Sequence, residues 1–120
     1  MLSFNKIILV GTTGADANVR EVSGDLTVGS FSVATSAGKD KPTQWHNVVY
    51  FAKHPWQKGI LEQIKKGTPV FVEGSISYES YEKNGEKKFI TKVIASVVNP
   101  FVPKGSGRQA PANNPDDIPF

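Results

Sequence analysis

Four rings lie close together in one stretch of this chain: Trp45, His46, Tyr50 and Phe51. The stretch Gln44–Ala52 is rich in β-branched and aromatic residues and contains no Gly or Pro, which predicts a strand. Side chains on a strand alternate between faces. Trp45, Asn47, Val49 and Phe51 then point one way, and His46, Val48 and Tyr50 the other. Both faces carry large rings, yet only one face of a strand fills the interior of a small barrel. Some of these rings are therefore expected outside or at an interface, where a flat apolar surface has a use. Parity alone leaves open which face that is.

Other chemistry finds little to work with. His46 and His54 are the only histidines, and there is no cysteine. Two histidines without a carboxylate cluster make a poor metal site. Gly11-Thr-Thr-Gly14 lacks the Gly-Lys-Ser/Thr ending of a phosphate-binding loop. No Ser/His/Asp set and no carboxylate pair stands out. The expectation is a protein without enzymatic activity, cofactor or metal.

The elements that position the rings follow from local pattern. Asn5–Gly11 predicts a first strand, Thr12–Ala17 a turn, and Asn18–Val22 a resumption of that strand. Leu26–Thr35 alternates cleanly, with Phe31 and Val33 opposite Ser30, Ser32 and Ala34. A polar loop over 36–42 leads into the ring-bearing strand. Pro55 opens the best helix candidate, 55–66, with Trp56, Ile60, Leu61 and Ile64 on one face and Gly67 as its cap. Thr68–Tyr81 and Lys87–Val98 read as long strands. Between them, Asn84-Gly85 supplies the two φ > 0 residues of a tight hairpin.

The chain has 120 residues, 38% of them hydrophobic, and a formal charge of +3. That allows one domain with a modest core and a mild attraction to polyanions. No charged leader with a long apolar run opens the chain, and no window approaches the ~18 apolar residues of a membrane span. Five of the eight prolines fall between Pro100 and Pro119. The expected division is a folded domain over 1–102 and a disordered tail over 103–120.

Taken together, these pieces resemble the bacterial single-stranded DNA-binding protein family, phage- and plasmid-borne members included. The matching residues are Asn5–Gly11, Val19-Arg20, Phe31–Ser36, Trp45-His46, Val48–Phe51 with Lys53, Lys66-Gly67, Val70–Gly74 and the terminal Asp116-Asp-Ile-Pro-Phe120. The resemblance implies an all-β OB-fold, a five-stranded Greek-key barrel with one helix between strands three and four. It implies sequence-independent binding and protection of single-stranded DNA in replication, recombination and repair.

Binding of that kind combines flat rings for the bases with cations for the phosphates. By position, the resemblance implies stacking by Trp45, Phe51 and Tyr81; Tyr78 is a further candidate, either for stacking or for packing at an interface. Phosphate contacts are expected from Lys6, Arg20, Lys53 and Lys66, with Lys83, Lys87 and Lys88 added on the hairpin. A homotetramer is implied, with His46 and the first strand (Ile7, Leu9) at subunit interfaces. Asp116, Asp117, Ile118, Pro119 and Phe120 are implied to form a tip that recruits replication, recombination and repair proteins. The implied setting is cytoplasmic and nucleoid-associated, away from membranes.

Two departures stand out. The family often has another tryptophan in the loop after Ser36, whereas here the loop reads Ala37-Gly-Lys-Asp40. The arm leading to Tyr81 is often rich in Arg and Lys, whereas here it is Ser77-Tyr-Glu-Ser80. Glu79 and Glu82 are expected to oppose phosphate, and the departures predict a weaker salt dependence, or a different site size, than in a more basic relative. The rival reading is an OB-fold adaptor in a replication or primosome complex whose DNA affinity is secondary.

Overall fold

The computed structural model describes residues 1–101. Its elements are β1 (Ile7–Thr13), β2 (Asn18–Glu21), β3 (Thr27–Thr35), β4 (Gln44–Ala52), α1 (Pro55–Glu62), β5 (Pro69–Lys83) and β6 (Glu86–Pro100). Strands β1, β5, β6, β4 and β3 are neighbours in that order, and β1 pairs again with β3 to close the ring. Five strands thus form the barrel, and β2 resumes β1 after a turn, pairing outside the ring with β3. One contact in the ring is parallel, β4 against β6, with Asn47 opposite Lys92. This is the OB-fold arrangement expected from the sequence, with the helix between the third and fourth barrel strands.

Alternation decides what fills the barrel. Phe31 and Val33 of β3, Val48, Tyr50 and Ala52 of β4, Val70 and Val72 of β5, and Val93, Ala95 and Val98 of β6 are buried together. Leu61 and Ile64, from α1 and the turn after it, join the same core. Burial pushes the Tyr50 phenol above its ordinary pKa, partly offset by a hydrogen bond with Gln57. The β5–β6 hairpin turns at Asn84 and Gly85, with φ of 54° and 80°. Both values lie in the region the Asn-Gly pair tolerates, as the sequence predicts.

Four expectations need correcting. The helix ends at Glu62, a turn earlier than 66. Gly67 does have φ of +83°, but its N–H bonds to the Thr13 carbonyl (3.0 Å) rather than capping the helix. Trp56, grouped by spacing with Ile60, Leu61 and Ile64, does not pack with them: it is 64% exposed, whereas Leu61 and Ile64 are buried. Leu9 is only 8% exposed in the single chain, within the core, and Ile7 packs against that core. The outward side chains of β1 are Ile8 and Val10, so Leu9 serves the monomer's own core rather than a subunit interface. The first strand is apolar on both faces, which is why parity did not separate them.

The turn after β1 is anchored. Thr13 Oγ1 donates to the Lys65 carbonyl (2.6 Å) and accepts from the Thr68 N–H (3.0 Å). The Ala17 N–H reaches the Ile64 carbonyl (3.0 Å), and the Lys66 N–H reaches Asp16 Oδ1 (2.9 Å). Residues 13–17 and 64–68 therefore hold each other, and this fixes Gly14 beside β3, whose Ser32 carbonyl accepts the Gly14 N–H (3.1 Å).

Candidate nucleic-acid interface

The outer face of β3 and β4 carries a groove of about 700 Å³. Register builds it. Phe51 lies opposite Val28, Val49 opposite Ser30, and Asn47 opposite Ser32. On one flank Arg20 of β2 pairs with Val28. On the other, Lys92 of β6 pairs with Asn47. Arg20, Val28, Asn47, Phe51, Ile90 and Lys92 all line the groove.

Trp45 and Phe51 are 58% and 42% exposed, while Val48 and Tyr50 are buried. Rings of the first pair therefore stand outside the barrel. Trp45 is not among the residues lining the groove. It lies further along the same face of β4, over Gly14, where an added Cβ would come 2.6 Å from its Cζ3.

The hairpin carries two different faces. Residues directly opposite on paired strands share a face. Ser77 faces Lys92, Glu79 faces Ile90, and Tyr81 faces Lys88. Since Ile90 and Lys92 line the groove, Tyr81, Lys88 and Lys83 belong to the groove side. Tyr78 faces Thr91, and Ser80 faces Phe89. Tyr78, Phe89 and Lys87 belong to the opposite side, where the Lys87 ammonium sits 5.8 Å from the Phe89 ring centroid. The two tyrosines do not share one surface.

The cations are likewise divided. Lys6 pairs with Glu73 (2.9 Å) beside a separate recess that also contains Phe4 and Ser96. Lys88 pairs with Glu86 (3.1 Å). Lys53 is exposed just past the groove, and Lys66 is exposed at the turn anchored by Asp16. His46 is partly buried, its Nε2 2.9 Å from Thr35 Oγ1. The segment Asp116–Phe120 and the tail lie outside the described residues.

One cation of the groove is already paired. Lys92 contacts Glu79 at 3.1 Å, and Ser77 Oγ donates to the other Glu79 oxygen (3.2 Å). The Lys92 and Ser77 hydrogen bonds hold the Glu79 carboxyl below its ordinary range. Glu79 thus occupies a lysine of the groove instead of standing as a bare anion. Lys92, Asn47 and Ile90 escaped sequence reasoning. The signal for Lys92 and Ile90 was present: counting back from the Asn-Gly turn places Lys92 on the same face as Tyr81. Among the described residues, no group of three His, Asp or Glu side chains could hold a metal ion. No helix there is long and apolar enough to cross a membrane.

Comparison with known proteins points the same way. The model of the single-strand binding protein family matches residues 4–101. The single-stranded DNA-binding protein of Xylella fastidiosa is 35% identical over 99 residues, covering 76% of this chain and 59% of that protein. Its counterpart from Xanthomonas campestris pv. campestris is 33% identical over 111 residues, covering 86% of this chain and 63% of that protein. The chain thus spans about three fifths of the length of these curated relatives. Among solved structures, a Plasmodium falciparum SSB in complex with ssDNA superposes with a TM-score of 0.72 at 26% identity. That match covers 85% of this chain and 98% of the other.

Proposed function

The chain belongs to the single-strand binding protein family, and we propose that it binds single-stranded DNA without reading sequence. The observation that carries this reading is the outer face of β3 and β4. Trp45 and Phe51 stand exposed on one strand face, and Arg20 and Lys92 flank the groove beside Phe51. Bases of any sequence present a π-face to such rings, and the cations meet the phosphates. In an OB-fold this is the face that takes oligonucleotides. No step of bond making or breaking is required of these residues, so the proposed role is binding and protection, not catalysis.

The other expected contacts follow from placement. Tyr81, Lys83 and Lys88 extend the groove along the hairpin. Lys53 and Lys66 meet phosphates at its margins. Tyr78 and Lys87 serve only a strand that wraps to the other side of the hairpin, and Lys6 does so only after leaving Glu73.

Assembly into a homotetramer is proposed on different grounds. β3 pairs with β1 only at Thr12 and Thr13, so the other edge of residues 7–11 is open. Ile8 and Val10 are exposed beside it, and Val10 pairs with Phe71. An open edge with an apolar face favours pairing with a second copy. His46 is proposed at a further subunit contact. Residues 1–102 form the binding domain, and 103–120 act as a tail whose acidic, then apolar, Asp116–Phe120 recruits replication, recombination and repair proteins. The setting that suits these roles is the nucleoid in the cytoplasm.

The test is tryptophan fluorescence during titration with oligo-dT at low and moderate salt. Wild-type protein should be quenched, less so as salt rises. Trp45→Ala with Phe51→Ala should bind far more weakly while keeping its circular dichroism. Undiminished binding by a folded double variant would reject this face as the site. Absence of binding by wild type would favour the adaptor reading.

A further inference from the structure

The ring-bearing surface does not end at Phe51. Beyond it the chain leaves β4 at Ala52 and passes through Lys53 and His54 into α1, and His54 and Trp56 supply two more rings. The Trp56 indole and the His54 imidazole lie parallel, centroids 6.2 Å apart and planes 4° apart. Offset parallel rings at this spacing attract each other. The pair is held ready. Gln57 Oε1 accepts from the Lys53 N–H (2.8 Å) and the His54 N–H (2.9 Å), pinning the backbone before the helix. Pro55 fixes φ between the two ring-bearing residues. A platform already ordered loses little freedom when a ligand arrives.

Its surroundings are cationic. Lys53, which precedes the pair, is exposed, and Lys58, which follows it, is half-buried. The first turn of α1 holds no acidic residue. A mostly exposed indole between two lysines has the chemistry of a nucleobase site: a flat face for the base and cations for the adjoining phosphates. Its place suits this too. Phe51 lies on the groove, and His54 is three residues on, so their Cα atoms are within roughly 10 Å along the chain.

We propose that the His54–Trp56 pair is a second base-stacking platform, which takes a base of a single strand that has already crossed the groove past Phe51. The proposal rests on the reading of the groove as a single-stranded DNA site, and its test separates the two. With two tryptophans in the chain, two full-length variants each leave one reporter: Trp56→Phe keeps Trp45, and Trp45→Phe keeps Trp56. Both are titrated to saturation with oligo-dT of about 8 and about 30 nucleotides, lengths near and beyond one OB-fold's reach.

Trp45 should be quenched by both lengths, and Trp56 by the longer strand. Trp56→Ala should weaken binding of the longer strand about fivefold or more and leave the shorter one unchanged. Quenching of Trp45 with no response from Trp56 overturns the platform and leaves the groove standing. No response from either overturns both. If Trp56→Ala instead changes the sedimentation of the DNA-free protein, the ring packs between copies of the chain and the platform is rejected.

Discussion

A Cβ added to Gly14 would lie 2.6 Å from Cζ3 and 3.1 Å from Cη2 of Trp45, so the indole rests on bare backbone. Gly14 is itself held by the Ser32 carbonyl and by the anchored turn around Thr13. In Gly14→Ala the exposed indole must yield, since the backbone cannot. Affinity for oligo-dT should fall, by less than the roughly 5- to 150-fold expected for losing a stacked ring altogether. The melting temperature should stay near wild type. Fluorescence titration beside a thermal melt checks both; unchanged affinity would mean Trp45 does not work in its present pose.

The hairpin register separates two tyrosines that the sequence placed together. Tyr81→Ala should weaken oligo-dT binding by about 1–3 kcal/mol, the range for one stacked base. Tyr78→Ala should cost less than half of that on strands short enough to occupy only the groove. Equal losses on such short strands would contradict the assigned faces.

Glu79 and Lys92 give a charge prediction with a definite sign. Hydrogen bonds hold the Glu79 carboxyl below its ordinary range. The ion pair is complete above that range and is lost as pH falls through the lowered value. Protonation then frees Lys92 and removes a negative charge from the groove, so affinity rises as pH falls there. Glu79→Gln should show the gain already at neutral pH. Its plot of log affinity against log salt should be steeper by about 0.7, the value for one added phosphate contact on a single strand. Parallel plots for wild type and variant would mean Lys92 does not reach a phosphate.

How much of this was legible in the sequence depends on contrast between faces. On β4 the inward Val48, Tyr50 and Ala52 alternate with the outward Trp45 and Phe51, but rings on both faces kept parity from choosing, and the family resemblance chose. On β1 the run Ile7-Ile-Leu-Val10 has no polar side to mark its inner face, and Leu9, which the resemblance implied at a subunit interface, packs within the core. Trp56 was misplaced because helical spacing groups it with Ile60 and Ile64. It does not report that His54 offers Trp56 a ring to stack on outside the core. The Lys92–Glu79 pair depended on a register that the Asn-Gly turn encoded but that had to be counted.

Gly29 and Leu61 test the seat of the helix. A Cβ at Gly29 would meet both Leu61 methyl groups, with Cδ1 at 2.6 Å. Gly29→Ala should destabilise by about 1–3 kcal/mol through overpacking. Leu61→Ala should cost about 2–5 kcal/mol through the cavity it leaves. Combined, the two should cost less than their sum, because the new methyl enters the vacated space. Urea denaturation of the four proteins measures the coupling; strict additivity would mean α1 can shift away from β3 without loss.

The open edge of β1 predicts an assembly defect. Val10→Asp, on the exposed face beside that edge, should lower the mass seen in sedimentation while leaving circular dichroism unchanged. A native mass would move the interface elsewhere.

The closed ring also constrains when the molecule can form. β1 completes one side only by meeting β5, and β4 completes the other only by its parallel pairing with β6. During synthesis, β3 and β4 can pair as a hairpin early. The barrel stays open until residues near 100 have left the ribosome. Such pairings join residues far apart in sequence, and chains dominated by them fold slowly. Through that interval the apolar first strand has no partner on the β5 side, and is exposed to the wrong neighbours. Changes that speed closure, such as strengthening the Asn84-Gly85 turn, would therefore raise the yield of folded protein more than they raise its final stability.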